Sequence, residues 1–168
     1  MTAQETPAPA PVPLPDSAAD VAALEAQEAR LVLPRFTHDD AWALGKLLVS
    51  LARERSGPVV IDIRRGAQQM FHCALPGASA DNDAWADRKR RTVERFGVSS
   101  LLTGTRFRSR GRNFDTDARL DPADYAAHGG SFPIAVEGAG VIGSVTVSGL
   151  PQLEDHALIV EALERFRG

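Results

Sequence analysis

Pro58-Val-Val-Ile-Asp-Ile-Arg-Arg-Gly-Ala-Gln-Gln-Met-Phe-His-Cys-Ala-Leu75 decides the fold. Val59, Ile61 and Ile63 point one way, and Val60, Asp62 and Arg64 point the other. That is the two-residue period of a strand. Gly66-Ala67 supplies a turn and Gln68–Leu75 returns, so the stretch reads as a β-hairpin closed by Pro76-Gly77. A second hairpin is expected from Phe132–Val136 and Gly140–Ser148 across Glu137-Gly138-Ala139. In its second strand Val141, Val145 and Val147 share a face, with Gly143 as a gap, while Ile142, Ser144, Thr146 and Ser148 take the other.

Helical periods surround the hairpins. Ser17–Arg30 carries a weak apolar row, Val21, Leu24 and Leu31, interrupted by Glu28. Leu31–Phe36 is a short extended connection held to an edge by Pro34. Thr37-His-Asp-Asp40 matches a capping box, and Ala41, Leu44, Leu48, Leu51 and Ala52 follow at helical spacing to about Arg55. A third helix is expected over Asp81–Phe96, stopped by Gly97. The segment after it reads as irregular, apart from a short capped helix in Asp121–Gly130 with His128 near its end favouring the dipole. Gly149-Leu-Pro151 opens a last helix with Ile159, Val160, Leu163 and Phe166 inward. Hairpins require antiparallel pairing, so the expected class is α+β: one antiparallel sheet carrying helices, on both faces if the alternation holds.

The chain has 168 residues, enough for one core. Met1–Asp16 holds five of the eleven prolines, which favours an extended or disordered tail before a single domain over 17–168. With 19 basic and 22 acidic residues the net charge is −3, so no global field draws the chain to nucleic acid or lipid. No apolar run reaches the roughly 20 residues of a membrane helix, and no secretory pattern is visible, so a cytoplasmic location is expected. Cys73 stands alone, which excludes an intrachain disulfide or an all-cysteine metal site.

The charge is uneven. Residues 53–119 hold 14 basic and 8 acidic side chains, a balance of +6, against −9 elsewhere. Arg88-Lys-Arg-Arg91 and the alternating Arg106, Arg108, Arg110 and Arg112 dominate. Such polarity suits a bound anion, or a symmetric assembly in which basic surfaces meet acidic ones. Aromatic residues are only 6% of the chain and just Phe107 and Phe114 interleave with the arginines, a weak case for RNA.

Within Asp81–Phe96, Trp85, Thr92 and Phe96 form a narrow stripe that also contains Asn82 and Lys89. A lysine on a core face either snorkels to water or lines a pocket. Asn82, Trp85, Lys89 and His156 are therefore the leading candidates to hold a small anionic or planar ligand, with Arg64 and His128 beside them. Asp62 and Arg64 share a strand face and can pair. His156 is in line with Val160 and Leu163 and faces inward. His72 is the one candidate metal ligand, and it faces away from Cys73. Ser148-Gly-Leu-Pro-Gln152 offers a helix-start anion site, weakened by Pro151, Glu154 and Asp155. No nucleophile–base–orienter set is legible, so no catalytic residue is assigned.

Several separated motifs resemble one family. They are Asp62-Ile-Arg-Arg-Gly66, Gln68-Gln-Met-Phe-His72, Asp81-Asn-Asp-Ala-Trp85 with Arg88-Lys89, Thr92-Val-Glu-Arg-Phe96, Asp121-Pro-Ala-Asp-Tyr-Ala-Ala-His-Gly-Gly130, and Val145-Thr-Val-Ser-Gly-Leu-Pro-Gln152 with Glu154-Asp-His156. Together they are similar to an uncharacterised family classed with the haem-degrading (GlcG/HbpS-like) domains, over roughly Ala19 to Phe166. The resemblance implies a profilin-like α/β sandwich with a central antiparallel sheet, and a homo-oligomer. It also implies haem as a cofactor to be tested, with His72, His128 and His156 as available axial ligands. Three functions follow: a small-ligand-binding oligomer, a haem-binding or haem-degrading protein, and a structural or adaptor oligomer.

Overall fold

A computed structural model describes residues 10–168. Most of the expected proline-rich tail, residues 1–9, lies outside the described residues. Residues 10–16 form no helix or strand, and the Pro15 carbonyl accepts a hydrogen bond from Arg108 Nε at 2.8 Å.

The elements are α1 (Ala18–Arg30), α2 (His38–Glu54), β1 (Val60–Arg65), β2 (Gln68–Ala74), α3 (Ala80–Phe96), α4 (Ser100–Arg108), α5 (Phe114–Asp117), β3 (Ser131–Val136), β4 (Gly140–Ser148) and α6 (Gln152–Arg167). Both expected hairpins form. They join through antiparallel pairing of β1 with β4, giving one four-stranded sheet in the order β2-β1-β4-β3. The fold is α+β, as the two periods require.

Alternation sorts the sheet into two unlike faces. Ile61 lies opposite Val147 and Ile63 opposite Val145, and all four are fully buried. Leu44, Leu48 and Leu51 of α2 and Leu158, Ile159 and Leu163 of α6 cover them in the main apolar core. Gly45 brings the α2 backbone against the Phe71 ring, where a Cβ would sit only 2.5 Å away. The other face carries Asp62, Ser144 and Thr146 and lies under α3. That face is buried yet polar, and it positions the site.

Capping explains the helix starts. Ser17 with Asp20 and Thr37 with Asp40 form reciprocal capping boxes, and at α3 Asn82 Oδ1 accepts the Ser79 N–H. Gly97, in the left-handed region at φ 70°, ends α3.

The structure corrects two expectations. The segment read as irregular contains α4 and α5. The apolar period fails in α4 because buried hydroxyls serve its backbone: Thr103 and Thr105 donate to the carbonyls of Ser99 and Leu101, four residues back. Conversely, Asp121–Gly130 forms a turn and then a stretch that is neither helix nor strand. Asp121 Oδ1 does accept the Ala123 N–H, but Ala126 then donates to the Arg88 carbonyl and accepts from Thr92 Oγ1, so the chain is laid along α3. His128 consequently ends no helix.

Candidate functional site

Lys89 decides the geometry. It lies on α3 facing the polar side of the sheet and is 2% exposed. Its Nζ donates to the carbonyls of Val147 at 2.7 Å and Gly129 at 3.2 Å, and to Asp155 Oδ2 at 3.1 Å. Three acceptors match the three N–H groups of an ammonium, so the arrangement selects the charged amine. Burial pulls the Lys89 pKa below the ordinary lysine range, opposed by Asp155; burial likewise raises Asp155, opposed by Lys89. Asp155 Oδ1 also accepts the Leu150 N–H at 3.0 Å. The pair thus ties α3 to the end of β4, to the start of α6 and to the approach to β3. Gly130, at φ 124°, leaves room for it: a Cβ there would collide with Lys89 Nζ and the Val147 carbonyl oxygen.

Above this pair lies a cavity of about 270 Å³. Asp81, Asn82, Trp85, Lys89, His128 and Gln152 supply most of its side-chain wall, and Ser148-Gly149-Leu150 and Asp155 close it. The two amides are oriented alike. Asn82 Oδ1 accepts the Ser79 N–H at 2.8 Å, closing the α3 cap, and Gln152 Oε1 accepts the Gly129 N–H at 3.0 Å. With both carbonyl oxygens committed, the amide nitrogens have no partner among the described residues. Trp85 lies between Arg88, whose Cζ is 3.9 Å from the indole ring, and His128, whose ring centroid is 5.1 Å away. Burial lowers the His128 pKa, which keeps its ring neutral at pH 7.

The structure therefore brings together Asn82, Trp85, Lys89 and His128. His156 is buried but takes another direction: its Nε2 meets Gln27 Oε1 of α1 at 2.7 Å and its ring packs near Phe132. Arg64 lies toward the other end of β1, donating to Asp62 Oδ2 at 3.0 Å beside a separate cleft with Arg90 and Glu94. His72 pairs with Asp83 at 2.8 Å. Among the described residues no three His, Cys, Asp or Glu side chains are grouped to hold a metal ion. The helix-start N–H of Leu150 is taken by the chain's own Asp155. Sequence reasoning read Asp155 only as weakening a helix-start anion site and missed its bond to Lys89. It also missed the contact of Gln152 with Gly129, which no local pattern announces.

Comparison with known proteins agrees with this architecture. The family model described as haem degrading protein HbpS-like matches residues 36–164. A UPF0303 protein of Streptomyces avermitilis is 70% identical over 143 residues, which span 85% of this chain and 88% of that one. Among solved structures, the Ybr137w protein superposes with a TM-score of 0.81 at 34% identity, covering 88% of this chain and 87% of that chain. A PduOC:haem complex superposes at 0.64 with 17% identity, covering 77% and 93%, and is alike in fold.

Proposed function

This chain belongs to the HbpS-like family, among its UPF0303 members, and from that premise we propose that it binds a small planar molecule bearing a carboxylate or carbonyl group in the Asn82–Trp85–Gln152 cavity. One observation carries this reading: both amides line the cavity and spend their oxygens inside the protein, which leaves their N–H donors without a partner among the described residues. A wall of neutral donors recognises an acceptor group without a free cation, since Lys89 has all three of its N–H groups engaged. Asp81 supplies an acceptor at the rim, and the Trp85 ring gives a planar ligand an edge to lie against. Lys89 and Asp155 are positioning residues, holding the 148–152 loop in place.

The cavity does not fit a haem. About 270 Å³ falls just below the roughly 300–1,000 Å³ range of small-molecule pockets, and the wall mixes the Asn82 and Gln152 amides, the Asp81 and Asp155 carboxylates, Lys89 and Ser148 with the Trp85 and His128 rings and Leu150. His156 is directed at Gln27 and His72 at Asp83, leaving only His128 on the wall.

Thermal-shift screening of small aromatic carboxylates tests the proposal, because a ligand that prefers the native state raises Tm. Benzoate-like compounds should raise Tm for the native chain and not for Gln152→Glu, which replaces the amide donor by a carboxylate. Equal shifts in both proteins would refute the assignment.

A further inference from the structure

The alternating arginines play no part in that cavity. They flank another, between α1 and α4, of about 600 Å³. Arg106, Arg110 and Arg112 line it, whereas Arg108 turns inward to the Pro15 carbonyl and Thr105 Oγ1. Gly111, at φ 65°, turns the chain after α4, and the Arg112 N–H donates back to the Phe107 carbonyl at 3.0 Å. Its guanidinium lies 5.4 Å from the Phe107 ring centroid.

Charge at this groove is only partly balanced. Glu25 of α1 pairs with Arg106 at 2.8 Å. Arg112 donates Nη2 to the Asp117 carbonyl at 3.2 Å and lies 3.9 Å from its carboxylate, which leaves other guanidinium N–H groups free, and Arg110 has no acidic partner among the described residues. Arg106 and Arg108 complement the C-terminal dipole of α4, but Arg110 and Arg112 lie past the helix end, where that account stops.

The floor is aromatic. Phe107 and Phe96 both pack edge-on against buried Phe114, at 5.2 and 6.0 Å, and Phe96 remains 38% exposed. Aromatic surface beside guanidiniums that are not fully paired is a combination that a ligand carrying both a ring and an anion can engage at once.

We propose that the α1–α4 groove is a second binding site, for a small molecule that joins an aromatic ring to a phosphate. The ring lies on Phe96 and Phe107, and the phosphate takes charge-assisted hydrogen bonds from Arg110 and Arg112. Two guanidiniums match a dianion better than a single carboxylate. A volume of about 600 Å³ admits a ligand of nucleotide size, which the α3 cavity does not.

Calorimetric titration of the full chain with naphthyl phosphate tests this. Binding is expected, with inorganic phosphate and naphthol each weaker by about tenfold or more. Arg110→Ala and Arg112→Ala, both at exposed positions, should each weaken naphthyl phosphate by about tenfold, as expected for one lost charged hydrogen bond. Asn82→Asp in the other cavity should leave it unchanged, which separates the two sites. The proposal is overturned if naphthyl phosphate does not bind, if inorganic phosphate binds as tightly, or if the arginine variants bind like the native chain.

Discussion

Lys89 Nζ and Asp155 Oδ2 stand 3.1 Å apart with both side chains 3% exposed, a fully buried ion pair joining α3 to α6. Desolvating two charges is expensive, and their attraction repays it only where the remaining donors and acceptors are also served. Here they are: two carbonyls complete the ammonium, and the Leu150 N–H binds the carboxylate.

Removing one partner should cost more than removing the charge of both. Lys89→Met leaves an uncompensated buried carboxylate and should lower stability by about 3–5 kcal/mol in urea denaturation. Adding Asp155→Asn should recover at least about 1 kcal/mol, since the amide oxygen still accepts the Leu150 N–H and no charge remains. A single variant as stable as the native chain would show that the pair is not a pin.

The acid limb of the stability curve should contain a contribution from His156. Burial pulls its pKa from 6.5 to about 4, so the folded state holds it neutral. Below pH 6.5 the unfolded chain takes up a proton that the folded chain refuses. Stability from this group is complete above 6.5 and declines by about 1.4 kcal/mol per pH unit towards 4. Glu28, raised by burial, acts in the opposite sense. The difference between the native chain and His156→Gln, measured by denaturation at several pH values, should isolate the histidine slope.

Asn82→Asp distinguishes recognition from capping. The carboxylate can still accept the Ser79 N–H, so stability should stay within about 0.5 kcal/mol. The donor facing the cavity is lost, and a carboxylate ligand should bind at least about tenfold more weakly by calorimetry. Unchanged affinity would remove Asn82 from the binding wall.

Gly130→Ala should destabilise by about 2 kcal/mol or more. The backbone at φ 124° is strained for any other residue, and the new methyl would displace the Lys89 ammonium. Thermal unfolding of Gly130→Ala beside Gly138→Ala, whose added Cβ meets nothing within 4 Å, separates the clash from the backbone cost.

The main architecture was legible because it rests on local periods. The alternation of Val59–Arg64 announced a strand, and Thr37 with Asp40 announced a helix start. Lys89 on an apolar stripe was legible as an anomaly, and Asn82 and Trp85 travelled with it. Its partner was not, because Asp155 is 66 positions away and looks locally like an ordinary acidic first turn. Helix α4 escaped for a related reason: Thr103 and Thr105 are buried polar residues satisfied by their own helix, so hydrophobic periodicity is silent. The direction of His156 also depended on Gln27, a residue in a helix with no fully buried side chain to mark its docked face.

Because a single amine gathers Gly129, Val147 and Asp155 from the approach to β3, the end of β4 and the start of α6, those parts cannot loosen one at a time without stranding it. Amide protons around them should therefore exchange with solvent as one sub-global unit, at a common opening free energy. In the Lys89→Met protein that shared protection should split into separate, faster-exchanging classes.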